Sequence, residues 1–315
     1  VSDARVLTFG ETMGLGVNEQ PGALTASRSY RMSFGGAESN VAIALRRLGT
    51  SATWVSRLGD DPFGRLIARE LAAEGVEVVA GIDPAHATGF MLKERRTATS
   101  GSVTFWRDGS AASRLRPDDI PDALIEAADL VHVTGITLGL SPGTRAAVFD
   151  VLERAQRRGT RISFDVNHRE RLWPAAVAAE HYGDVLPYAD IVFAGDEEAA
   201  MIVGPGEPID LARELIRRGA GEAVIKLGAD GCAAVIDGTA HRVAAHPVDV
   251  VDTVGAGDAF VAGYLHEFLA GAGAAARLTT AVTAGALACT SLGDWEGSPD
   301  ARDLRALGAK EGIDR

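Results

Sequence analysis

The sequence predicts an α/β fold: a mainly parallel central sheet with helices on both faces, plus a small β-sheet lid. The first observation is a rhythm. Short runs rich in Val and Ile alternate with amphipathic stretches along most of the 315 residues, as strand–helix–strand units require. The second is that these runs are apolar without alternation, which fits strands covered by helices on both faces. The third is a pair of interruptions in which hairpin-like segments replace helices.

Taken in order, residues 6–9 read as the first buried strand. Residues 14–34 carry few helix signals and end in a strand-like 29–34. A helix at 41–48, a strand at 52–56 and a helix at 63–74 restore the rhythm. Residues 88–94 and 100–107 are strand-like runs joined by a polar turn at 95–99, which is hairpin character. Strands at 130–134, 161–164, 191–194 and 223–226 follow, with helices at 144–158 and 211–218 among them. An extended run at 244–251 leads into two Ala-rich helices, 259–270 and 278–291. The expected organisation is a core of 1–13, 35–86 and 115–315, with a discontinuous lid of 14–34 and 87–114.

Composition narrows the function classes. Lys and Arg number 31 against 43 Asp and Glu, a formal charge of −12, which argues against nucleic-acid or membrane-surface partners. Apolar residues at 46% and charged residues at 23% exclude a disordered, coiled-coil or collagen-like chain. No apolar run reaches the ~18 residues of a membrane span. The first residues run straight into a strand, so no signal peptide is expected. Two cysteines, Cys232 and Cys289, make no disulfide framework and suggest buried thiols in a reduced cytoplasm.

The sharpest local signal is Asp252-Thr-Val-Gly255-Ala256-Gly257-Asp258-Ala-Phe. Two glycines just before a helix let backbone N–H groups converge at its positive end, a ready anion site. Asp258 then sits where a carboxylate can take a proton from a hydroxyl attacking a held phosphate. A tight turn with Asp258 as N-cap accounts for the same residues. Far upstream, Phe34-Gly35-Gly36-Ala-Glu-Ser39-Asn40 offers close backbone approach and polar groups near a helix start, suited to a polyol or to capping.

Together these segments resemble the ribokinase-like (PfkB) family of sugar kinases. Gly35-Gly36, Asn40, Ala42, Leu48-Gly49, Gly59-Asp60 and Gly64 match its N-terminal signature. Asp252-Thr253 and Gly255-Ala256-Gly257-Asp258 match its C-terminal one, Asp165-Val-Asn-His-Arg169 its D-x-N-x-R, and Lys226-Leu-Gly228-Ala-Asp-Gly231 its nucleotide-side loop. The resemblance covers essentially the whole chain. It implies ATP and Mg²⁺, leaves room for a monovalent cation, and makes Asp258 the base. The N–H groups of Gly255, Ala256 and Gly257 become the anion hole; Lys226, Gly228 and Gly231, with Gly255 and Gly257, become the nucleotide side. Gly35, Gly36 and Asn40 fall on the sugar side. The family's N-x-x-E appears as Gly195-Asp-Glu-Glu198, so Glu198 is the water-mediated Mg²⁺ candidate, or else part of a solvated helix start. No Walker-type run is present.

Within the family the pattern is similar to 2-keto-3-deoxygluconate kinases. Arg107, after Thr-Phe-Trp on the second lid strand, and Arg169 would hold an acceptor carboxylate in bidentate fashion. Arg107 could instead be an exposed lid residue, since Arg114 and Arg116 follow. Asp294, in Gly-Asp-Trp-Glu-Gly-Ser-Pro, would bond acceptor hydroxyls near Asp258. Phe90, Met91, Phe105 and Trp106 stand where hydroxylated aromatics are usual, which keeps a neutral-sugar kinase in view. A non-catalytic sugar-binding regulator has no need of both Asp258 and the anion hole. The four apolar residues Phe90, Met91, Phe105 and Trp106 are expected to be exposed on short lid strands with open edges, which favours a homodimer through the lid.

Overall fold

The computed structural model describes residues 4–97 and 101–310; part of the turn expected at 95–99, and residues 1–3, lie outside them. The strands are β1 Arg5–Phe9, β2 Met13–Asn18, β3 Tyr30–Gly35, β4 Ser51–Gly59, β5 Glu77–Asp83, β6 Phe90–Arg95, β7 Gly101–Trp106, β8 Leu130–Thr134, β9 Arg161–Asp165, β10 Ile191–Gly195, β11 Glu222–Lys226, β12 Cys232–Ile236 and β13 Thr239–Val243. The helices are α1 Ala37–Leu48, α2 Pro62–Ala73, α3 Asp122–Glu126, α4 Gly135–Leu140, α5 Pro142–Arg158, α6 Ala175–Val185, α7 Asp196–Val203, α8 Pro208–Arg217, α9 Ala256–Leu269, α10 Ala274–Ala288 and α11 Ala301–Lys310.

The large sheet runs β13-β12-β11-β10-β9-β8-β1-β4-β5. It is parallel from β5 to β11, and β12 and β13 are antiparallel. Successive residues of β10 serve opposite layers. Ile191 and Phe193 pack with α1, α9 and α10, whereas Val192 and Ala194 pack with α5 to α8. That two-sided burial is why the strands read as unbroken apolar runs. Parallel order brings the C-terminal ends of β1, β8, β9, β10 and β11 to one edge, where open α/β sheets bind ligands.

The small sheet has the order β3-β2-β6-β7. Its outer pairs are antiparallel, but β2 and β6 are parallel, Gly14 opposite Phe90. The hairpin character expected of the lid strands fails at this pair: β3, α1, β4, α2 and β5 all lie between β2 and β6 and make the long connection that parallel pairing needs. Met13, Leu15, Val17 and Met91 fill its inner face. Of the four lid residues expected to be exposed, only Trp106 is; Met91 is buried and Phe90 and Phe105 are half-buried. No strand forms in 244–251. The strands there are β12 and β13, turned by Asp237 and Gly238 at φ 50° and 74°, a type I′ hairpin signal present in the sequence.

Candidate active site

Helix α9 begins at Ala256, with Gly255 as its N-cap at φ 76° and no side chain capping it. Asp258 lies in the first turn, and its carboxylate accepts from Asn40 Nδ2 at 2.8 Å. The N-cap role is therefore excluded for Asp258. Burial pushes its carboxyl up to about 7; the Asn40 bond and the charges of Arg169 and Lys226 oppose that push, and Asp165 adds to it. The Ala256 N–H turns back to the Thr253 carbonyl at 3.3 Å. Among the described residues no acceptor takes the N–H groups of Gly255, Gly257 and Asp258. These three, rather than the run 255–257, form the donor set at the helix end.

Asp294 approaches from the loop after α10. A Cβ on Gly35 would run into its carboxylate, and a Cβ on Gly255 into its backbone carbonyl. Gly255 thus combines a left-handed φ with a close backbone approach, two conditions only glycine meets. A Cβ on Gly36 would strike the Glu11 carbonyl and Thr12. Phe34 stacks on Trp295 with centroids 5.0 Å apart, fixing this junction. Burial pushes the Asp294 carboxyl up to about 7; Lys93 opposes this, and Glu296, Asp258 and Asp252 reinforce it. Gly35, Gly36, Asn40, Asp258 and Asp294 therefore meet around one space.

Lys226, at the end of β11, places Nζ 2.6 Å from Asp165 Oδ1. A Cβ on Gly257 would lie 3.8 Å from that ammonium, so Lys226 stands beside the first turn of α9. Burial pulls the Lys226 ammonium's pKa down, but the charges of Asp165 and Glu198 outweigh that and hold it above its ordinary value. Asn167 takes φ 38°, bending the D-x-N-x-R segment. Glu198 secures that bend: its Oε1 accepts from His168 N and its Oε2 from Gly195 N, each at 2.7 Å. It is not a solvated helix start. Among the described residues no three metal-ligating side chains gather in one place. Gly231, at φ 89°, is needed because β13 and the chain after it pass against it; Gly228, at φ 57°, faces open space.

Arg107 is neither an exposed lid residue nor a free clamp. Its Nη2 lies 2.6 Å from Oε2 of the fully buried Glu11, with its side chain 12% exposed. The Ser110 hydroxyl holds the other Glu11 oxygen. Arg107 Nε is buried without a hydrogen-bond partner, leaving one donor of the guanidinium unused. Arg169 is exposed, donates to the carbonyl of His168 at 2.9 Å and has no carboxylate partner among the described residues. Its field reaches Asp258. Arg171 crosses to the lid, donating to the Val103 carbonyl at 2.7 Å with its guanidinium 5.7 Å from the centre of the Phe105 ring. His168 meets the Tyr182 hydroxyl at 3.1 Å and packs structurally. Cys232 is buried with its thiol pushed up to about 11, whereas Cys289 is only half-buried.

Sequence reasoning missed Glu11, Lys93 and the partner role of Asp165. Glu11 follows Gly10 after β1, and nothing local marks it, because its partner is 96 positions away. Asp165 was visible inside D-x-N-x-R, and its pairing follows from β9 and β11 flanking β10.

The model of the pfkB family of carbohydrate kinases matches residues 3–301. The chain is 33% identical to the 2-dehydro-3-deoxygalactonokinase of Haloferax volcanii over 99% of both chains. It is 34% identical to the 2-dehydro-3-deoxygluconokinase of Bacillus subtilis, over 96% of this chain and 94% of that one. A fructokinase double mutant from Vibrio cholerae, solved with fructose, ADP and potassium ion, superposes with a TM-score of 0.85 at 27% identity, over 97% of this chain and 98% of that one.

Proposed function

The chain belongs to the pfkB family of carbohydrate kinases, and from that premise we propose that it transfers the γ-phosphoryl group of ATP to a primary hydroxyl of 2-keto-3-deoxygluconate, its galactonate epimer or a similar sugar acid. The observation that carries the reading is the Asn40–Asp258 pair at the start of α9, beside three unengaged N–H groups. A hydroxyl held against Asp258 gives up its proton as the phosphoryl group arrives, and the N–H groups take the charge that develops on its oxygens. A base titrating near 7 is matched to that task at neutral pH. Gly35 and Asp294 would receive the acceptor hydroxyls, and Arg107 Nε with Arg169 its carboxylate. Lys226, Gly228, Gly231, Gly255 and Gly257 would face the nucleotide.

Mg²⁺ fits this site as an ion carried by the nucleotide phosphates, since among the described residues no cluster of three or more His, Cys, Asp or Glu side chains could cage it. When bound it neutralises phosphate charge. Glu198, with each oxygen already accepting one N–H, has one lone pair per oxygen left for a water of its shell. A monovalent cation belongs to the same proposal. So does a homodimer through the lid, whose edge strands β3 and β7 expose Tyr30, Met32 and Trp106; sedimentation velocity tests it. No helix among the described residues is long and apolar enough to cross a membrane, and the cytoplasm remains the proposed compartment.

A neutral sugar is the second reading, favoured by the ion pair that already engages Arg107. A coupled assay of ADP formation over a panel of aldonate-type keto acids, fructose and ribose decides. Turnover of a 3-deoxy-2-keto acid with little on fructose is expected. Turnover of neutral sugars alone refutes the acidic acceptor, and none on any sugar refutes the kinase.

A further inference from the structure

The lid and the loop that opens the anion hole meet in one buried ion pair. Lys93 on β6 places Nζ 2.5 Å from Asp252 Oδ2, with side chains only 15% and 12% exposed. The other Asp252 oxygen accepts from Val254 N at 3.3 Å, so this carboxylate shapes the loop that ends at Gly255. Behind it, the N–H groups of Val251 and Asp252 are both anchored on the Cys289 carbonyl. Around the pair lies a cavity of about 260 Å³, with Leu15, Val17 and Lys93 on the lid wall and Asp252, Gly293 and Asp294 on the core wall. The other lid–core polar contact of a cation at this edge is loose. Arg31, 43% exposed, stands 3.7 Å from Glu296 and 3.5 Å from the Leu292 carbonyl.

We propose that Lys93 is a positioning residue for phosphoryl transfer: its ammonium, delivered by the lid, holds Asp252 so that the N–H groups following it line up as the anion hole. The inference rests on the kinase reading. Three observations combine to carry it. The pair joins segments 159 positions apart, so it exists only when the lid is docked. It is desolvated, so separation leaves a carboxylate with no compensating cation in a confined space, a cost that couples lid position to loop geometry. Finally, Asp252 reaches the loop through its second oxygen, so a displaced carboxylate moves Val254 and with it the amides at the start of α9. A lysine suits the role because its flexible stem lies along the apolar lid wall of Leu15 and Val17 while its head reaches the acid.

The test uses the full chain as Lys93→Met, Lys93→Arg, Asp252→Asn and the double variant Lys93→Met/Asp252→Asn. Met keeps the stem and removes the charge. The expected result is a fall in kcat of about tenfold or more in Lys93→Met with the KM for ATP within about twofold. Lys93→Arg restores most of it, and the double variant is no slower than Lys93→Met. Hydrogen exchange of the amides of 253–258 is expected to quicken in Lys93→Met and return in Lys93→Arg. Multiplying losses in the double variant, an unchanged kcat, or unchanged exchange of those amides each overturns the proposal. The exchange measurement needs no acceptor, so it decides for Lys93 even if every acceptor fails and the kinase reading falls.

Discussion

Replacing Asp258 with Asn separates two properties that the wild-type residue ties together. The folded protein holds the Asp258 proton up to about 7, against an ordinary 3.8, chiefly because the carboxyl is buried. Folding therefore takes up a proton between those two values. Stability contributed by the neutral acid is fully present below 3.8, declines as pH rises, and is lost above about 7. The full interval corresponds to ~4 kcal/mol. Asp258 as a whole residue is half-buried, and its carboxylate keeps the Asn40 bond. Water screening then reduces the penalty to about 1–2 kcal/mol. Asn cannot ionise and still accepts from Asn40. Asp258→Asn is thus expected to raise the melting temperature at pH 8 by a few degrees, with the gain vanishing near pH 4. The same change removes the base, lowering kcat by about 10²–10⁴ while ATP binding stays within a fewfold of wild type. Differential scanning fluorimetry at the two pH values, the coupled assay and nucleotide titration read all three. A gain equal at both pH values, or a loss at pH 8, refutes the burial argument. Retained turnover refutes the base.

Arg107→Ala and Arg169→Ala are both expected to raise the KM for an acidic acceptor far more than for a neutral sugar. Only Arg107→Ala strands the buried Glu11, so denaturant melts will show a loss of about 3–5 kcal/mol for it and roughly none for Arg169→Ala. Lys226→Met strands Asp165 in the same way and removes the cation beside Gly257, so stability falls and the KM for ATP rises by about tenfold. Gly255→Ala forces a Cβ into the Asp294 carbonyl at a left-handed φ, and steady-state assays are expected to lose about a hundredfold in kcat. In wild type, kcat/KM rises with pH through an acidic limb near 7; the limb belongs to the coupled pair Asp258 and Asp294, both pushed to about 7.

The core was legible because its signals are local. Residues 191–195 alternate between two apolar layers, so the run had to be a covered strand, and Gly255 to Asp258 carried the helix-end chemistry in consecutive positions. What escaped was set by chain reversals or long-range docking. The β12–β13 hairpin lay behind an Asp-Gly pair overlooked in favour of the extended run after it. The parallel pairing of β2 with β6 follows from a crossover, which no local pattern records. Arg107 was placed at the cleft, but its pairing with Glu11 depends on how the lid sits on β1.

These pairings change what the site's charge means. Arg107, Lys226 and Lys93 would make a positive pocket if they stood free, and the proposed pair of anionic substrates would call for one in an acidic chain. Instead each is matched to a buried or nearly buried carboxylate, Glu11, Asp165 and Asp252 respectively. Of the four cations considered for the site, Arg169 alone has no carboxylate partner among the described residues. The attraction for a triphosphate must come from elsewhere. The unengaged N–H groups of Gly255, Gly257 and Asp258 supply it without any counter-ion to displace. Asp294, held near 7, can keep its proton as the phosphates approach, whereas Asp258 must be ionised to take the acceptor's proton, so only one of the two adjacent acids repels them. Cation–carboxylate pairs then serve to fix geometry, and their removal should disturb alignment, read in kcat, more than long-range attraction, read in the salt dependence of kcat/KM.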